Sequence, residues 1–447
     1  QAKKDLLKYN FYSNFTKPLP IIKIDIKHKD FIEMQNIRQR ILNLQVKSLG
    51  EGTILKKHKK WFKADIRDQD NTSYRIKIRF KGQNTDHIDH ENKWSFRINL
   101  KDDKTIYGMR SFSIQHPSTR NWLDEILLSE IMLKNDILSP KYLLARVLIN
   151  GKDIGIMNIE PVANKELLES QKRKNSVILK FRDQNTWKAV EITQKLRKEY
   201  NIDRNQVYKY FRLFHKNIPI EAKNIKKREY INSIEAKSAI SLLSSFLNLE
   251  IGWEDTFDRN KLLTYFAILQ IFEDAYYHGV EPTNTHFYYN PIIGKLEPIS
   301  IDNMYKFSHI NDKVFYPTYR YAELFSCNPN FLDSLWEKGY EITSSMLNSN
   351  EYEDIYKLLN DYYYPIMKSE FPYLEPINLN KLKARLEILN KYYFKKSQNS
   401  LNEDFKIICV DHKGMGPLSA DLTAFNLNPE LSSNIYKNVS RLYDLAH

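Results

Sequence analysis

The hydrophobic pattern of this chain changes its period near residue 186, and this change limits the possible folds more than any other feature. Before that point, apolar and polar residues alternate over short runs such as 74–80, as they do in half-buried strands. Asn150-Gly151 stands between two such runs, which predicts a β-hairpin. Beyond residue 186, apolar residues mostly recur every three or four positions, as on the buried face of a helix. The pattern therefore predicts an α+β protein with segregated halves.

The predicted elements set the domain boundaries. Strands are expected at 21–26, 61–66, 74–80, 94–100, 143–149, 154–159 and 177–181, and early helices at 30–44 and 118–135. Later helices are expected at 187–199, 204–215, 235–249, 258–273, 330–347, 350–371 and 379–395. Asp258 is the expected N-cap of helix 258–273, and Pro365 is expected to kink or split helix 350–371. We therefore divide the chain into a lead-in (1–20), an N-lobe (21–185), a helical C-lobe (186–400) and a C-terminal extension (401–447).

Composition and charge narrow the classes of partner. With 447 residues, of which 42% are hydrophobic, the chain is long enough to bury a large core. No run of 18 apolar residues occurs, so no transmembrane segment is expected. The net charge of +13 predicts either an acidic partner, such as a nucleotide, an acidic protein or an anionic polymer, or only a solvated basic surface. The basic runs carry no nucleic-acid-binding motif, so nucleic acid is not expected. Cys327 and Cys409 are either free thiols or one disulfide.

Residues 265–307 combine the side chains that phosphoryl transfer needs. A helical pattern breaks just before Asp274, a polar loop holds Asn284 and His286, and a later strand ends at Asp302. In phosphoryl transfer, one carboxylate orients the acceptor hydroxyl, while an amide oxygen and a second carboxylate hold Mg²⁺. The alternative is structural, because Asp is common at helix caps and in turns. The order of elements predicts an atypical protein-kinase-like two-lobed fold, with a mixed or antiparallel sheet in the N-lobe and a mostly helical C-lobe.

Standard nucleotide-binding motifs are absent, since the chain has no Walker loop, no glycine-rich kinase loop, no HRD and no DFG. Over roughly residues 20–395, however, it resembles the spore-coat protein H (CotH) kinase family in an ordered set of segments. IRFKGQNT at 78–85 is similar to that family's R-x-K-G-N-S-S, and NKWSFRINL at 92–100 to its K-K-x-Y-R-I-K-L. Five further segments resemble the family in the same order: IYGMRSFSI at 106–114, STRNWLDEILLSEI at 118–131, VLINGKDIGIMNIEPV at 147–162, NTHFYYN at 284–290 and LEPISIDNMYKF at 296–307.

The resemblance implies an atypical kinase that uses ATP with Mg²⁺, or with Mn²⁺ in its place. It implies that Asp274 is the catalytic acid/base and that Asp302 and Asn284 are metal ligands, with His286 where the family often has a second Asn. The family's P-W-D-x-D reads here as P-I-S-I-D, so Ser300 replaces its first acid. Either Asp302 alone supplies the carboxylate, or the site is weakened or inactive. The resemblance and the missing initial Met also imply an extracytoplasmic protein: secreted, periplasmic or surface-associated.

Basic side chains of the strands are expected to meet the phosphates of ATP. The nucleotide-binding candidates are Arg79, Lys81, Lys93, Arg97 and Lys180, with Glu130 as the pairing acid and Glu160 near the connection between the lobes. The alternative for each is a surface charge on a half-buried sheet. The expected acceptor is a hydroxyl of a partner protein, most simply of Ser or Thr. A sugar or polysaccharide hydroxyl is one alternative, and a catalytically inactive, pseudokinase-like binding or assembly module is another.

Overall fold

The computed structural model describes residues 18–48, 54, 56–101, 103–181, 220–224, 233–248, 250–272, 284–303, 325, 328–349 and 352–398. Its strands are β1 (Ile21–Ile26), β2 (Phe62–Arg67), β3 (Ser73–Phe80), β4 (Phe96–Leu100), β5 (Ser111–Gln115), β6 (Leu143–Ile149), β7 (Lys152–Pro161), β8 (Ile178–Phe181), β9 (Ile220–Lys223), β10 (His286–Asn290) and β11 (Lys295–Ile299). Its α-helices are α1 (His28–Ser48), α2 (Asp124–Lys134), α3 (Lys165–Ser170), α4 (Ile234–Leu247), α5 (Trp253–Thr256), α6 (Arg259–Ile271), α7 (Pro329–Asn348), α8 (Glu353–Lys357), α9 (Tyr364–Glu370) and α10 (Leu379–Gln398). Asp274, Cys327, Cys409 and the C-terminal extension lie outside the described residues.

The strands β1 to β7 form a closed barrel in the order β1-β2-β3-β4-β5-β7-β6, and β6 pairs with β1 to close it. Neighbouring strands are antiparallel, except that β1 and β6 are parallel, with Ile22 opposite Val147. Because successive side chains alternate across a strand, every second residue faces the interior. Apolar side chains pack together there, as is usual in small barrels; they include Ile24, Ile66, Ile78, Phe96 and Phe112.

The closed barrel shows that the predicted kinase-like two-lobed fold was wrong, because that fold has an open sheet in its N-lobe. Alternation identified the strands, but it does not determine which strands pair. The barrel closes through β1 and β6, two segments that are distant in the sequence and parallel to each other. Parallel pairing needs a long connection, so no local turn signal announces it.

The hairpin predicted at Asn150-Gly151 is confirmed as β6 and β7. Asn150 and Gly151 have φ angles of 49° and 79°, the positive values that a tight two-residue turn requires. The Asn150 side-chain oxygen also accepts a hydrogen bond from the Ile26 backbone nitrogen at 2.7 Å. This hairpin turn is therefore tied to β1, next to the seam that closes the barrel.

The helix predicted at 118–135 begins later than expected, because α2 starts at Asp124. Pro117–Arg120 forms a 3₁₀ turn instead, in which His116 Nδ1 accepts a hydrogen bond from the Ser118 backbone nitrogen at 3.1 Å. The next two residues have φ angles of 47° and 63°, which an α-helix does not allow. Arg120 therefore lies outside the helix, and its side chain turns toward the barrel.

The strands β8 to β11 form a second, antiparallel sheet in the order β11-β10-β8-β9. One face of this sheet packs against the helices through Leu179 and Phe287, which are buried in the larger core. Lys180 and His286 are opposite each other on the other face. This other face is mixed, because Ile178, Tyr288 and Ile299 also lie on it and pack against α3 in a small apolar cluster.

The helical part largely follows the predicted pattern. Asp258 is confirmed as the cap of α6, since its Oδ1 accepts a hydrogen bond from the Lys261 backbone nitrogen at 2.9 Å. The helix predicted at 350–371 is split, with a π-helical segment, Leu358–Tyr363, just before α9 and its Pro365. Proline lacks the backbone N–H that a continuous α-helix would use, which accounts for the local rearrangement. None of the described helices is long and apolar enough to cross a membrane. The helices predicted at 187–199 and 204–215 lie outside the described residues.

Candidate functional site

A polar row crosses the outer face of the barrel on four neighbouring strands. The cross-strand register aligns, from β3 through β4 and β5 to β7, Arg79, Arg97, Ser113 and Glu160. Their strand neighbours, such as Ile98, fill the barrel interior, so this row points outward. Ser113 and Glu160 are nevertheless only 0% and 5% exposed. The rest of the molecule covers this part of the barrel, and the polar groups there need partners.

Glu160 is the centre of a hydrogen-bonded ion network. Its Oε1 accepts a hydrogen bond from Lys81 Nζ at 2.6 Å. Its Oε2 accepts from Arg120 Nε at 2.6 Å and from Gln115 Nε2 at 2.7 Å. Gln115 Oε1 in turn accepts from Lys81 Nζ at 2.8 Å. Two cations on different elements are therefore held by one buried carboxylate, which we call the Glu160 network.

Arg120 connects the Glu160 network to Asp302. Its Nη1 lies 3.0 Å from Asp302 Oδ1, and the side chains of Arg120 and Asp302 are 7% and 35% exposed. Asp302 follows β11 and has a φ of 58°, a left-handed conformation that Asp tolerates better than most residues. The network consequently runs from a buried carboxylate to a second carboxylate that solvent can reach.

The charges of this network determine one another's ionisation. Burial alone would raise the pKa of Glu160, but Arg120 and Lys81 outweigh it and hold this pKa well below its usual range. Burial and the neighbouring Arg120 lower the pKa of Lys81 to about 7. Burial would also lower the pKa of Arg120, but Asp302 and Glu160 raise it above its usual range. Burial lowers the pKa of Arg97 to about 10. At neutral pH, the guanidinium groups of Arg97 and Arg120 offset the carboxylates of Glu160 and Asp302. Lys81 adds positive charge, and an incoming anion would raise the pKa of Lys81 and so increase the protonated fraction of this lysine.

Buried polar side chains hold the turn that carries Asp302. Asn303 Nδ2 donates to Ser300 Oγ at 3.0 Å and to the Tyr265 hydroxyl at 3.1 Å. Glu125 Oε1 accepts from the Asn303 backbone nitrogen at 3.3 Å and from the Tyr142 hydroxyl at 3.2 Å. Ser300 is 1% exposed, so its hydroxyl belongs to this buried group and does not face a ligand.

Asn284 and His286, the other predicted metal ligands, lie next to this turn. Asn284 Nδ2 is 3.4 Å from the Asp302 backbone oxygen, and His286 Nδ1 is 2.9 Å from the Asn284 backbone oxygen. Burial and the nearby Lys223 lower the pKa of His286 to about 3, so its ring is neutral at pH 7. Lys180 stands opposite His286 in the sheet. The positive charges of Lys180 and Lys223 disfavour a metal cation at this position. The metal role of His286 stays a prediction.

Oxygen donors for a metal are few in this part of the molecule. Among the residues that the structure describes, no group of three or more His, Cys, Asp or Glu side chains is arranged to hold a metal ion. Asp302 and Asn284 would therefore supply only part of a coordination shell. This is compatible with Mg²⁺, which commonly takes one or two carboxylates and completes its shell with water and phosphate oxygens.

Two of the predicted nucleotide-binding residues lie outside the Glu160 network. Lys93 Nζ is 2.5 Å from Glu370 Oε1 and pairs the barrel with α9. The Arg79 guanidinium lies 4.8 Å from the centroid of the Trp61 ring, at the half-buried β3 end of the polar row. Lys93 therefore has a structural partner, whereas Arg79 stacks on an aromatic side chain.

The expected pairing acid, Glu130, is not the acid that holds Lys81. Glu130 is buried within α2, and after burial it contributes to a raised pKa of Tyr363. The carboxylate that meets the lysine is that of Glu160, at 2.6 Å. Both glutamates were among the predicted site residues, but the pairing role expected of Glu130 is taken by Glu160. Asp274, the predicted acid/base, lies outside the described residues.

A cavity of about 1250 Å³ opens beside the polar row, between the barrel, α3 and the second sheet. Asn99 and Ser111 line its barrel side, Asn164 its α3 side, and Lys223 the second sheet. Ligand pockets typically measure about 300–1,000 Å³, so this cavity is large enough for a nucleotide-sized ligand. Asn99 and Ser111 are the outward-facing pair next to Arg97 and Ser113 on β4 and β5, so the cavity wall adjoins the polar row.

No protein-family model matches the chain, and a search of curated proteins finds no match either. The resemblance to the CotH family therefore stays a prediction, and the site must be judged on its own geometry.

Arg120 is the principal residue that sequence reasoning missed. It stands at the start of a predicted helix, where a positive charge opposes the helix dipole, and this is a weak signal of another role. Gln115 and Lys223 gave no such signal, because an amide and a lysine are ordinary on the polar side of a strand. Only the pairing of β5 with β7 and of β8 with β9 brings them to the site.

Proposed function

We propose that the protein is a kinase that transfers the γ-phosphate of ATP to a hydroxyl group. One observation carries the proposal: the buried Glu160 carboxylate holds Lys81 and Arg120, each at 2.6 Å, beside the partly exposed Asp302. Phosphoryl transfer by kinases needs a lysine fixed by an acid to contact the phosphates and a carboxylate to hold the metal ion. Both kinds of group lie in one connected network here.

Lys81 and Arg120 would contact the phosphate oxygens. Because Glu160 accepts hydrogen bonds from both, the two cations are oriented before a nucleotide arrives, and such preorganisation favours catalysis. The pKa of Lys81 is about 7, and the negative charge of a bound triphosphate would raise it. Bound nucleotide would therefore keep this lysine protonated at neutral pH.

Asp302 and Asn284 would hold Mg²⁺, since both side chains offer an oxygen atom and Asn284 Nδ2 lies 3.4 Å from the Asp302 backbone oxygen. When bound, the ion would neutralise charge on the β- and γ-phosphates. Arg120 already contacts one oxygen of the Asp302 carboxylate, which keeps this side chain directed toward the network.

The acceptor would be a hydroxyl, most simply that of Ser or Thr in a partner protein. In the transfer step, the acceptor oxygen bonds to the γ-phosphorus, the bond to the β–γ bridging oxygen breaks, and ADP leaves. The acceptor proton would pass to Asp274, which lies outside the described residues. A sugar or polysaccharide hydroxyl would react in the same way, so the acceptor class must be found by experiment.

Transfer of labelled γ-phosphate from Mg-ATP tests this proposal, with protein and glycan acceptors screened in parallel. Lys81→Met and Asp302→Asn should each reduce transfer by about 100-fold or more, because each removes a group that stabilises developing phosphate charge. Lys77→Met is the matched control, since Lys77 is an exposed lysine of β3, and it should retain wild-type transfer. An Asp274→Ala protein that labels acceptor at the wild-type rate would contradict the catalytic assignment. Absence of transfer by the folded wild-type protein to either acceptor class would count against the kinase as a whole.

A non-catalytic binding or assembly module is the second candidate, and two observations favour it. Ser300 is buried where the family pattern has an acid, and Arg120 occupies one oxygen of Asp302 at 3.0 Å. Thermal unfolding with Mg-ATP separates the candidates. Nucleotide at a hundredfold excess over its Kd should stabilise the protein by about 2.7 kcal/mol, whereas a module for an acidic protein or polymer should show no shift.

A further inference from the structure

The face of the second sheet that is turned away from the helical core carries several ionisable side chains at its β9 side. The strand register places Glu221, Lys180 and His286 in one row across β9, β8 and β10. Lys223 lies two residues beyond Glu221 on the same face, because side chains alternate along β9. It also lines the cavity of about 1250 Å³. This face therefore brings Lys223 to the wall of an open cavity, with Lys180 beside it in the sheet.

The basic groups lie close together. Lys180 is opposite Glu221 and Lys223 is opposite Ile178, so the two lysines are diagonal neighbours on β8 and β9. Asn99 and Ser111 line the cavity together with Lys223, and they are the outward-facing pair next to Arg97 and Ser113 on β4 and β5. Burial, followed by Lys180, lowers the pKa of Lys223 to about 7. Glu221 Oε2 lies 3.7 Å from Lys180 Nζ, and the Glu221 side chain is 43% exposed. An exposed ion pair at this distance offsets little of the repulsion.

Two buried donors on the barrel side face the same region. Arg97 Nε and Ser113 Oγ have no hydrogen-bond partner among the described residues. The two residues are opposite each other on β4 and β5, and Ser113 is 0% exposed. Buried polar groups are normally hydrogen-bonded, so a pair of unsatisfied donors beside a cationic cluster needs an explanation.

We propose that Lys180, Lys223 and Arg97, together with the Ser113 hydroxyl, form a subsite for a tetrahedral oxyanion such as a phosphate group. An oxyanion accepts hydrogen bonds from ammonium, guanidinium and hydroxyl donors, and its charge removes the repulsion among the three cations. The cavity gives it access. The subsite adjoins the Glu160 network. Anion binding there does not require phosphate transfer, so the subsite would exist whether the protein is an enzyme or a binding module.

Occupation of the subsite is expected to depend on pH through Lys223. The groups that surround Lys223 are Lys180, Glu221, Arg97 and His286, and the acids that line the cavity further out are Glu166 and Glu235. Glu166 contacts Arg110 Nε at 3.3 Å, and Glu235 accepts from Ser176 Oγ at 3.1 Å, so both have partners of their own. A bound dianion stabilises the charged lysine, so binding above pH 7 must be accompanied by proton uptake.

Sulfate is the most direct probe, because it is a tetrahedral dianion whose charge is constant between pH 6 and pH 9. Calorimetric titration of the full chain should give an affinity at pH 9 about tenfold or more below that at pH 6, as Lys223 loses its proton over this range. Lys223→Arg keeps a cation throughout and should show less than about a threefold change between the two pH values. Lys223→Met should bind sulfate about tenfold or more weakly at pH 6.

Lys165→Met is the matched control, since Lys165 lines the same cavity but its side chain is 54% exposed and paired with Glu169. It should bind sulfate as the wild type does. Wild-type affinity and pH dependence in folded Lys223→Met would overturn the subsite, as would equal losses in Lys223→Met and Lys165→Met. Far-UV circular dichroism and thermal unfolding establish that each variant is folded.

The phosphate group has two possible sources, which a second titration separates. If a non-hydrolysable ATP analogue with Mg²⁺ displaces sulfate, the subsite takes a phosphate of the nucleotide. If both bind together, it takes an anionic group of the acceptor. Either result supports the subsite, and neither needs phosphate transfer. A kinase assay without product would therefore count against the proposed activity while leaving the sulfate result unaffected.

Discussion

Gly82 shows how one backbone position fixes the lysine on which the Glu160 network depends. It follows Lys81 directly and has a φ of 85°, and a Cβ atom there would lie 1.8 Å from His87 Cδ2. The buried His87 ring has its Nδ1 3.0 Å from the hydroxyl oxygen of Ser95. The Lys81 backbone nitrogen donates a hydrogen bond to the backbone oxygen of Ser95 at 2.9 Å. The absence of a side chain at Gly82 thus allows the loop to close against β4 with Lys81 directed at Glu160.

Gly82→Ala should therefore lower the free energy of unfolding by about 2–4 kcal/mol, as the sum of a left-handed φ and a steric clash with His87. Gly151→Ala is the matched control, because Gly151 has a φ of 79° but no atom lies within 4 Å of the place that its Cβ would take. Gly151→Ala should lower the free energy of unfolding by only about 1–2 kcal/mol. Urea denaturation measures both, and equal losses in the two variants would show that the His87 contact does not constrain this loop.

At the scale of elements, Glu370 joins the C-terminal end of α9 to the barrel. Its Oε1 lies 2.5 Å from Lys93 Nζ, and its Oε2 accepts from the Ile156 backbone nitrogen at 2.9 Å. Gly155 has a φ of 81°, and a Cβ there would lie 2.3 Å from Glu370 Oε1. β7 is therefore shaped to admit this carboxylate, and Lys93 acts as a joint between the barrel and the helices.

Glu370→Ala should lower the free energy of unfolding by about 2–4 kcal/mol, because it leaves Lys93 buried without a countercharge. Lys93→Met in the same background should recover part of the loss, since no unpaired charge then remains. Glu341→Ala removes an exposed partner of Lys338 on α7 and should cost less than about 0.5 kcal/mol. Chemical denaturation compares the three, and a Glu370→Ala loss no larger than that of Glu341→Ala would contradict the role of this joint.

At the scale of the whole molecule, barrel closure brings the site together. In the closed order, β5 lies beside β7, so Glu160 comes next to Ser113 and within reach of Lys81 at the end of β3. The closing seam itself is short and parallel, and Asn150 supports it by accepting a hydrogen bond from Ile26 at 2.7 Å. A local contact at one hairpin thus helps to hold a long-range pairing.

Asn150→Gly should loosen this seam without altering the turn, since glycine adopts the φ of 49° but lacks the acceptor oxygen. We expect amide hydrogen exchange at Ile26 to become about tenfold faster, which corresponds to one lost hydrogen bond. Asn150→Asp keeps an acceptor and should exchange at nearly the wild-type rate. Unchanged exchange at Ile26 in Asn150→Gly, or equal acceleration throughout the barrel, would exclude this local role.

Local physical rules account for the parts of this fold that were predicted from the sequence. The hairpin at Asn150-Gly151 and the cap at Asp258 follow from backbone conformation and side-chain length at single positions. Lys81, Glu160 and Asp302 were recognised as residues of interest, but their contacts were not. Glu130 was expected to pair with a lysine because it lies on the helix between the early strands, whereas strand order gives that place to Glu160.

The sequence by itself determined where most strands, the β6–β7 turn and most helices form, because alternation, caps and positive φ angles act within a few residues. It did not predict β5 or β9. Only the tertiary structure decided that the strands close into a barrel, that Arg120 links two carboxylates, and that Lys223 lines one cavity with Asn99 and Ser111. These contacts join segments far apart in the chain. Their choice depends on which pairings bury the apolar faces of all the strands together, and no short stretch of sequence carries that information.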